Sequence, residues 1–134
     1  MDAQRIDHVH LRIPADEIEH AVEFYQGHLG FPLEGFDEYE QGETPIFHFR
    51  LTADTIIHVR PTDEFVHPDR ENFDHLAIIL DENIEDVKQE LQDAGVIIER
   101  EGTPDGATGE APAIYVRDPF GYLLELKEPV SGTV

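Results

Sequence analysis

The chain has 134 residues, no cysteine, and 30 Asp and Glu against 9 Lys and Arg, a formal net charge of −21. That length suits one domain, or two small modules sharing a core, with enough apolar residues to need no staples. The composition excludes disulfides, thiolate nucleophiles and cysteine-ligated zinc, and the charge disfavours nucleic acid and anionic membranes as partners.

A strand is expected from about Arg5 to Ile13. Pro14-Ala15-Asp16 ends it, and the pair Asp16 and Glu19 reads as a helix cap. Ile18, Ala21, Val22, Tyr25 and Leu29 follow at helical spacing, and Gly30 stands where a left-handed cap is needed. Phe31 to Phe36 reads as a strand and Asp37 to Thr44 as turns. Strands follow at Ile46 to Leu51 and Thr55 to Arg60, with Pro61 as the stop. Module one is therefore 1–61, and the aperiodic stretch 62–72 is a linker.

Module two, 73–129, repeats the plan. Phe73 to Leu80 is a strand, and Ile84, Val87, Leu91 and Ala94 form one helix face ended by Gly95. Val96 to Glu101 is a strand, and Gly102 to Pro112 is a loop able to cover a site. Ala113 to Arg117 and Tyr122 to Glu128 flank the turn Asp118-Pro119-Phe120-Gly121. The tail 130–134 is expected to fray. Each half is β-α-β-β-β, so the fold class is α+β, built from two tandem modules.

The repetition is visible in the residues. Asp7-His8-Val9 recurs as Asp74-His75-Leu76, and the separation 75 − 8 = 67 also links Arg50 to Arg117 and His58 to Glu125. An internal repeat fixes architecture before any other signal. Side chains alternate along a strand. Val9, Leu11 and Ile13 therefore oppose His8, His10 and Arg12, and Ile57 and Val59 oppose Ile56, His58 and Arg60. Leu76, Ile78 and Leu80 oppose His75, Ala77 and Ile79; Tyr122, Leu124 and Leu126 oppose Leu123, Glu125 and Lys127.

One face of each strand is apolar and packs under helices, and the other gathers titratable groups. A carboxylate within Leu-Leu-Glu-Leu is costly to bury unpaired, and a bound cation removes that cost. Singly, each group has a structural reading: sheet histidines with hydrogen bonds, an exposed His58, a Glu125 paired with Lys127 or Arg60. Together, at repeat-equivalent places, His8, His58, His75 and Glu125 read as ligands of one metal ion. His20, His28 and His67 read as surface residues.

These motifs, with the run from Glu23-Phe24-Tyr25 to Leu29-Gly30-Phe31 and the turn before Glu125, resemble the vicinal oxygen chelate superfamily. It includes glyoxalase I, extradiol dioxygenases, fosfomycin-resistance transferases and metal-free bleomycin-binding proteins. The resemblance covers nearly the whole chain as one domain, 1–134. It implies a curved mixed sheet around a metal cleft, one divalent ion per site (nickel, zinc, cobalt, manganese or iron(II)), a small-molecule substrate and a homodimer.

Three readings of the chemistry stand open. A glyoxalase-type lyase or isomerase would use the metal to chelate vicinal substrate oxygens and stabilise an enediolate, with Glu125 as base. Arg12 matches an arginine that meets a thiol cofactor, but position 58 is His where glyoxalase I has Glu. An iron(II) extradiol dioxygenase would use His8, His75 and Glu125 as its triad, His58 as acid/base, and Tyr115 ten residues before Glu125. Against it, Gly106-Ala107-Thr108 lacks the upstream histidine of that signature, and the chain is about half the usual length. The third reading is a non-enzymatic binding or resistance protein. His10, Arg12, His48, Arg50 and Arg117 are expected to meet substrate.

The acidity would otherwise suggest disorder. With 40% of residues hydrophobic, and those patterned, it reads instead as a solvated acidic shell, as in halophile proteins. No apolar run spans a bilayer and no signal peptide precedes the first strand, so the expected location is the cytoplasm.

Overall fold

The computed structural model describes residues 1–131. The expected frayed tail lies partly, at 132–134, outside the described residues. The chain divides into two compact units, the first ending at Val66 and the second beginning at His67. Among the described residues no helix is long and apolar enough to cross a membrane.

Unit 1 contains β1 (His8–Pro14), helix α1 (Ile18–Ala21, continued by π-helical turns Val22–His28), β2 (Leu33–Glu34), α2 (Phe36–Glu40), β3 (Phe47–Thr52) and β4 (Thr55–Thr62). Unit 2 contains β5 (Leu76–Ile79), α3 (Ile84–Asp93), β6 (Arg100–Gly102), β7 (Ala113–Arg117) and β8 (Leu123–Lys127). Each unit is one four-stranded mixed sheet, ordered β1-β4-β3-β2 and β5-β8-β7-β6. The first and last strands of each unit run parallel, and the other pairs are antiparallel. This is the expected pair of β-α-β-β-β modules, with one added helix.

The apolar faces do pack under helices. Tyr25 of α1 is 0% exposed and stacks on Phe49 of β3 with ring centroids 5.2 Å apart. Leu11, Ile13, Ile57 and Val59 complete that core. In unit 2, Ile84, Val87 and Leu91 of α3 are buried, as are Ile114, Val116, Leu124 and Leu126 of the sheet. Gly95, at φ 85°, closes α3 with a left-handed residue that a side chain would strain. Val96 N–H then returns to Leu91 O at 2.9 Å.

Several boundaries differ from expectation for local reasons. The stretch read as turns holds α2. Its acidic sequence hides Phe36 and Tyr39, three residues apart, which both pack on Phe47 at 5.2 and 5.5 Å. Pro61 does not stop β4, which pairs with Ile13 there and runs on to Thr62. Pairing of β4 with β3 begins only at Val59. Pro61 therefore has a sheet neighbour on one side, the edge-like setting that tolerates a missing N–H.

The Asp16–Glu19 cap does not form: Glu17 holds the N-cap position without a side-chain bond. In α3 it is Asn83 that caps, accepting from Glu85 N–H at 2.9 Å. Ala94 leaves the expected stripe and is the exposed C-cap. The expected strands 31–36 and 73–80 are trimmed to β2 and β5, and 5–13 and 96–101 are shortened at the start and run one residue further as β1 and β6.

Candidate functional site

In unit 1 the sheet register sets a row of imidazoles. His10 pairs with His58, and His58 with His48, across β1, β4 and β3. Paired residues on neighbouring strands share a face, so Arg12, Arg50, Ile56 and Arg60 stand there too. The His8 and His58 rings meet edge to face at 4.5 Å. His10 and His48 lie 5.9 and 5.8 Å from the His58 ring.

Two carboxylates organise this face. Asp7 Oδ2 accepts from His8 Nδ1 at 2.7 Å. Glu34 Oε1 accepts from Arg50 Nε at 2.8 Å and from His48 Nε2 at 2.9 Å. Arg50 and His48, in that order, hold the Glu34 carboxyl below its usual range. Arg50 also donates to the carbonyls of Thr52 and Ala53. Arg60 Nε donates to His10 Nε2 at 3.3 Å. Burial first, and the adjacent guanidinium of Arg60 second, push His10 below the usual histidine range. Burial does the same to His58, reinforced by His8, His48 and His10. The His58 Nδ1 is buried without a hydrogen-bond partner among the described residues.

In unit 2, β7 and β8 bring Tyr115 opposite Glu125. The Tyr115 hydroxyl donates to Glu125 Oε1 at 2.8 Å, and His75 Nε2 lies 3.1 Å from the same oxygen. Glu125 is 4% exposed. Asp74 Oδ1 accepts from His75 Nδ1 at 2.6 Å, and Arg70 donates to both Asp74 oxygens at 2.9 and 3.0 Å. Arg100 lies over the Tyr115 ring, 4.1 Å from its centroid. Burial, and then the bond to Glu125, raise the Tyr115 phenol above its usual range, so it stays a donor. Arg117, expected to meet substrate, donates to Glu99 at 2.8 Å and to the Gly121 carbonyl at 2.9 Å, bracing the turn. Among the described residues the partners of Glu125 are Tyr115 and His75, not Lys127. Lys127 bonds instead to the Gly109 carbonyl at 2.7 Å.

The expected metal ligands thus come as pairs, His8 with His58 in unit 1 and His75 with Glu125 in unit 2. Among the described residues no three His, Asp or Glu side chains form a metal-holding group. The donor chemistry nonetheless fits a cation. Each repeated histidine has its Nδ1 fixed by the preceding aspartate, which leaves Nε2 as the nitrogen a cation could use, the way metal-bound histidines are oriented. His75 Nε2 and Glu125 Oε1 are two acceptors that need a proton or a cation between them. The orphaned His58 nitrogen is a third sign of unmet coordination.

The orienting aspartates were legible as the residue before each histidine. Glu34, Arg60 and Arg100 were not, because their partners are brought to them only by strand pairing.

A family model described as Glyoxalase/Bleomycin resistance protein/Dioxygenase superfamily matches residues 5–126. The chain belongs to that superfamily. It is 32% identical, over 136 residues covering 97% of this chain and 88% of the relative, to the Virulence protein STM3117 of Salmonella typhimurium. The crystal structure of that protein superposes with a TM-score of 0.76 at 30% identity, covering 97% of this chain and all of the other (100%). A putative glyoxalase family protein from Bacillus anthracis gives 0.75 at 27% identity, covering 97% and 98%. A lactoylglutathione lyase from Agrobacterium tumefaciens, 18% identical with a TM-score of 0.68, covers 99% and 100% and shares the fold.

Proposed function

We propose that this chain is a divalent-metal-dependent enzyme of the glyoxalase type, a lyase or isomerase acting on a small molecule with two adjacent oxygens. His8, His58, His75 and Glu125 would hold the ion. Nickel, zinc, cobalt, manganese and iron(II) all accept imidazole and carboxylate ligands. When bound, the ion supplies Lewis-acid polarisation of the two substrate oxygens and acidifies the adjoining C–H.

The chain's own groups do the rest. Asp7 and Asp74 fix the tautomer and direction of His8 and His75. Glu125 takes the substrate proton and returns it, while the Tyr115 hydroxyl steadies Oε1. His10, Arg12 and His48 stand on the unit 1 face for substrate, Arg50 and Arg117 would act from within their pairs with Glu34 and Glu99, and a homodimer is the working assembly. The observation that carries the reading is the buried Glu125 set 3.1 Å from an imidazole whose other nitrogen is held by Asp74.

A second reading, iron(II) ring cleavage, is favoured by one contact. Tyr115 bonds the very carboxylate that would ligate iron, and a neutral His58 with an open nitrogen suits acid/base work.

Metal content of protein purified without added metal, with aerobic assays on methylglyoxal plus thiol and on catechols, separates the readings. The proposal expects a bound divalent ion and isomerisation of the hemithioacetal without oxygen uptake. Iron with oxygen uptake on a catechol reverses the order. Neither metal nor turnover leaves a binding or resistance protein.

A further inference from the structure

The site face of unit 2 holds a cation that this chemistry does not use. Lys127 ends β8 on the face of Glu125, two residues further along, a step of about 7 Å. It is 3% exposed. Its ammonium has three N–H donors, and the Gly109 carbonyl takes one at 2.7 Å. Among the described residues no carboxylate pairs with it, although the chain has 30 acids to offer. A buried ammonium facing only neutral acceptors is expensive. A lysine kept there for structure alone would be cheapest beside an acid.

The loop before β7 is shaped around this ammonium. A Cβ on Gly106 would stand 2.7 Å from Lys127 Nζ and 3.8 Å from the Gly109 carbonyl oxygen. Gly106 and the Gly109 carbonyl therefore make a cradle around the ammonium, and a side chain at 106 would displace it. The wider charge distribution agrees. Of 9 Lys and Arg, Arg12, Arg50 and Arg60 stand on the histidine face of unit 1, and Arg100, Arg117 and Lys127 on the Glu125 face of unit 2. Arg50 and Arg117 are neutralised by Glu34 and Glu99, Arg60 bonds His10 and Arg100 lies over Tyr115, and among the described residues Lys127 has only the Gly109 carbonyl.

We propose that Lys127, in the Gly106–Gly109 cradle, is an anion subsite beside Glu125 that takes a carboxylate of the substrate. A single ammonium matches the single charge of a carboxylate better than a phosphate dianion. The substrate class becomes a small acid whose carboxylate accompanies its vicinal oxygens, a 2-oxo or 2-hydroxy acid. This rests on the reading of Glu125 as the neighbouring reactive group.

The test is calorimetric titration of the whole chain, metal-free and metal-loaded, with pyruvate and with methyl pyruvate. The two differ in one charge. Metal-free protein is expected to bind the acid at least about tenfold more tightly than the ester. Lys127→Met should erase that preference and Lys127→Arg should keep part of it. Gly106→Ala should weaken pyruvate binding without unfolding, because its Cβ displaces only the flexible end of Lys127; this variant decides if Lys127→Met does not fold.

Equal binding of acid and ester by wild-type protein overturns the subsite, as does a preference undiminished in both Lys127→Met and Gly106→Ala. Inorganic phosphate binding more tightly than pyruvate, and depending on Lys127, overturns the carboxylate assignment. A Lys127-dependent acid preference in protein that binds no metal keeps the subsite and overturns the metal reading of Glu125. The reverse pattern does the opposite.

Discussion

An imidazole takes its role from what holds its other nitrogen. His8 and His75 each bond a preceding aspartate, at 2.7 and 2.6 Å, and each is thereby aimed. His48 is held instead by Glu34, which also carries Arg50. That shared carboxylate gives a pH prediction. The Glu34 carboxyl is held below its ordinary 4.5 by Arg50 first and His48 second. A depressed carboxyl contributes stability that is present above the unfolded value and is lost as pH falls through the folded one. The Glu34 side chain is 40% exposed, so the contribution is small, but the titration itself is measurable. Carboxyl-carbon NMR should find its midpoint below those of unpaired glutamates, and Arg50→Gln should move it upward. A midpoint unmoved by Arg50→Gln would contradict the pairing. The Asp-His dipeptides were legible in the sequence, because their partners are one residue apart. The Glu34 network was not, because it depends on β2 lying beside β3.

Elements were legible where one periodicity dominated. The alternation in β1, β4, β5 and β8 separated the face of His8, His58, His75 and Glu125 from an apolar one, because one face of each strand is apolar without exception. The Ile84, Val87 and Leu91 stripe likewise located α3. Legibility failed where local chemistry and tertiary packing disagreed. The acids of 37–40 suggested a turn, but Phe36 and Tyr39 anchor α2 on Phe47. Pro61 suggested an end, but β4 has lost its β3 neighbour there and needs no N–H on that side. The burial of Lys127 was also hidden. Nothing in Leu-Leu-Glu-Leu-Lys says that a loop 18 residues earlier folds over the ammonium.

At the scale of the whole molecule the repeat was the strongest signal, since three residue pairs at one separation of 67 pointed to two tandem modules. The acidity acts at the same scale. A net charge of −21 on 134 residues repels itself over distances that salt shortens, from about 30 Å at 0.01 M to about 3 Å at 1 M. Melting temperature should therefore climb steeply from low to molar sodium chloride. A flat series would mean that the charges are too well solvated to matter. The duplication also frames the central proposal, that His8, His58, His75 and Glu125 are ligands of one divalent cation. The direct measurement is metal content per chain after loading and exhaustive dialysis, for wild-type protein and for the variant with His8→Ala, His75→Ala and Glu125→Gln together. The account predicts about one ion per chain in the first, as expected of a closed imidazole and carboxylate set, and essentially none in the second. Undiminished metal in the triple variant, or no metal in the wild type, would contradict it.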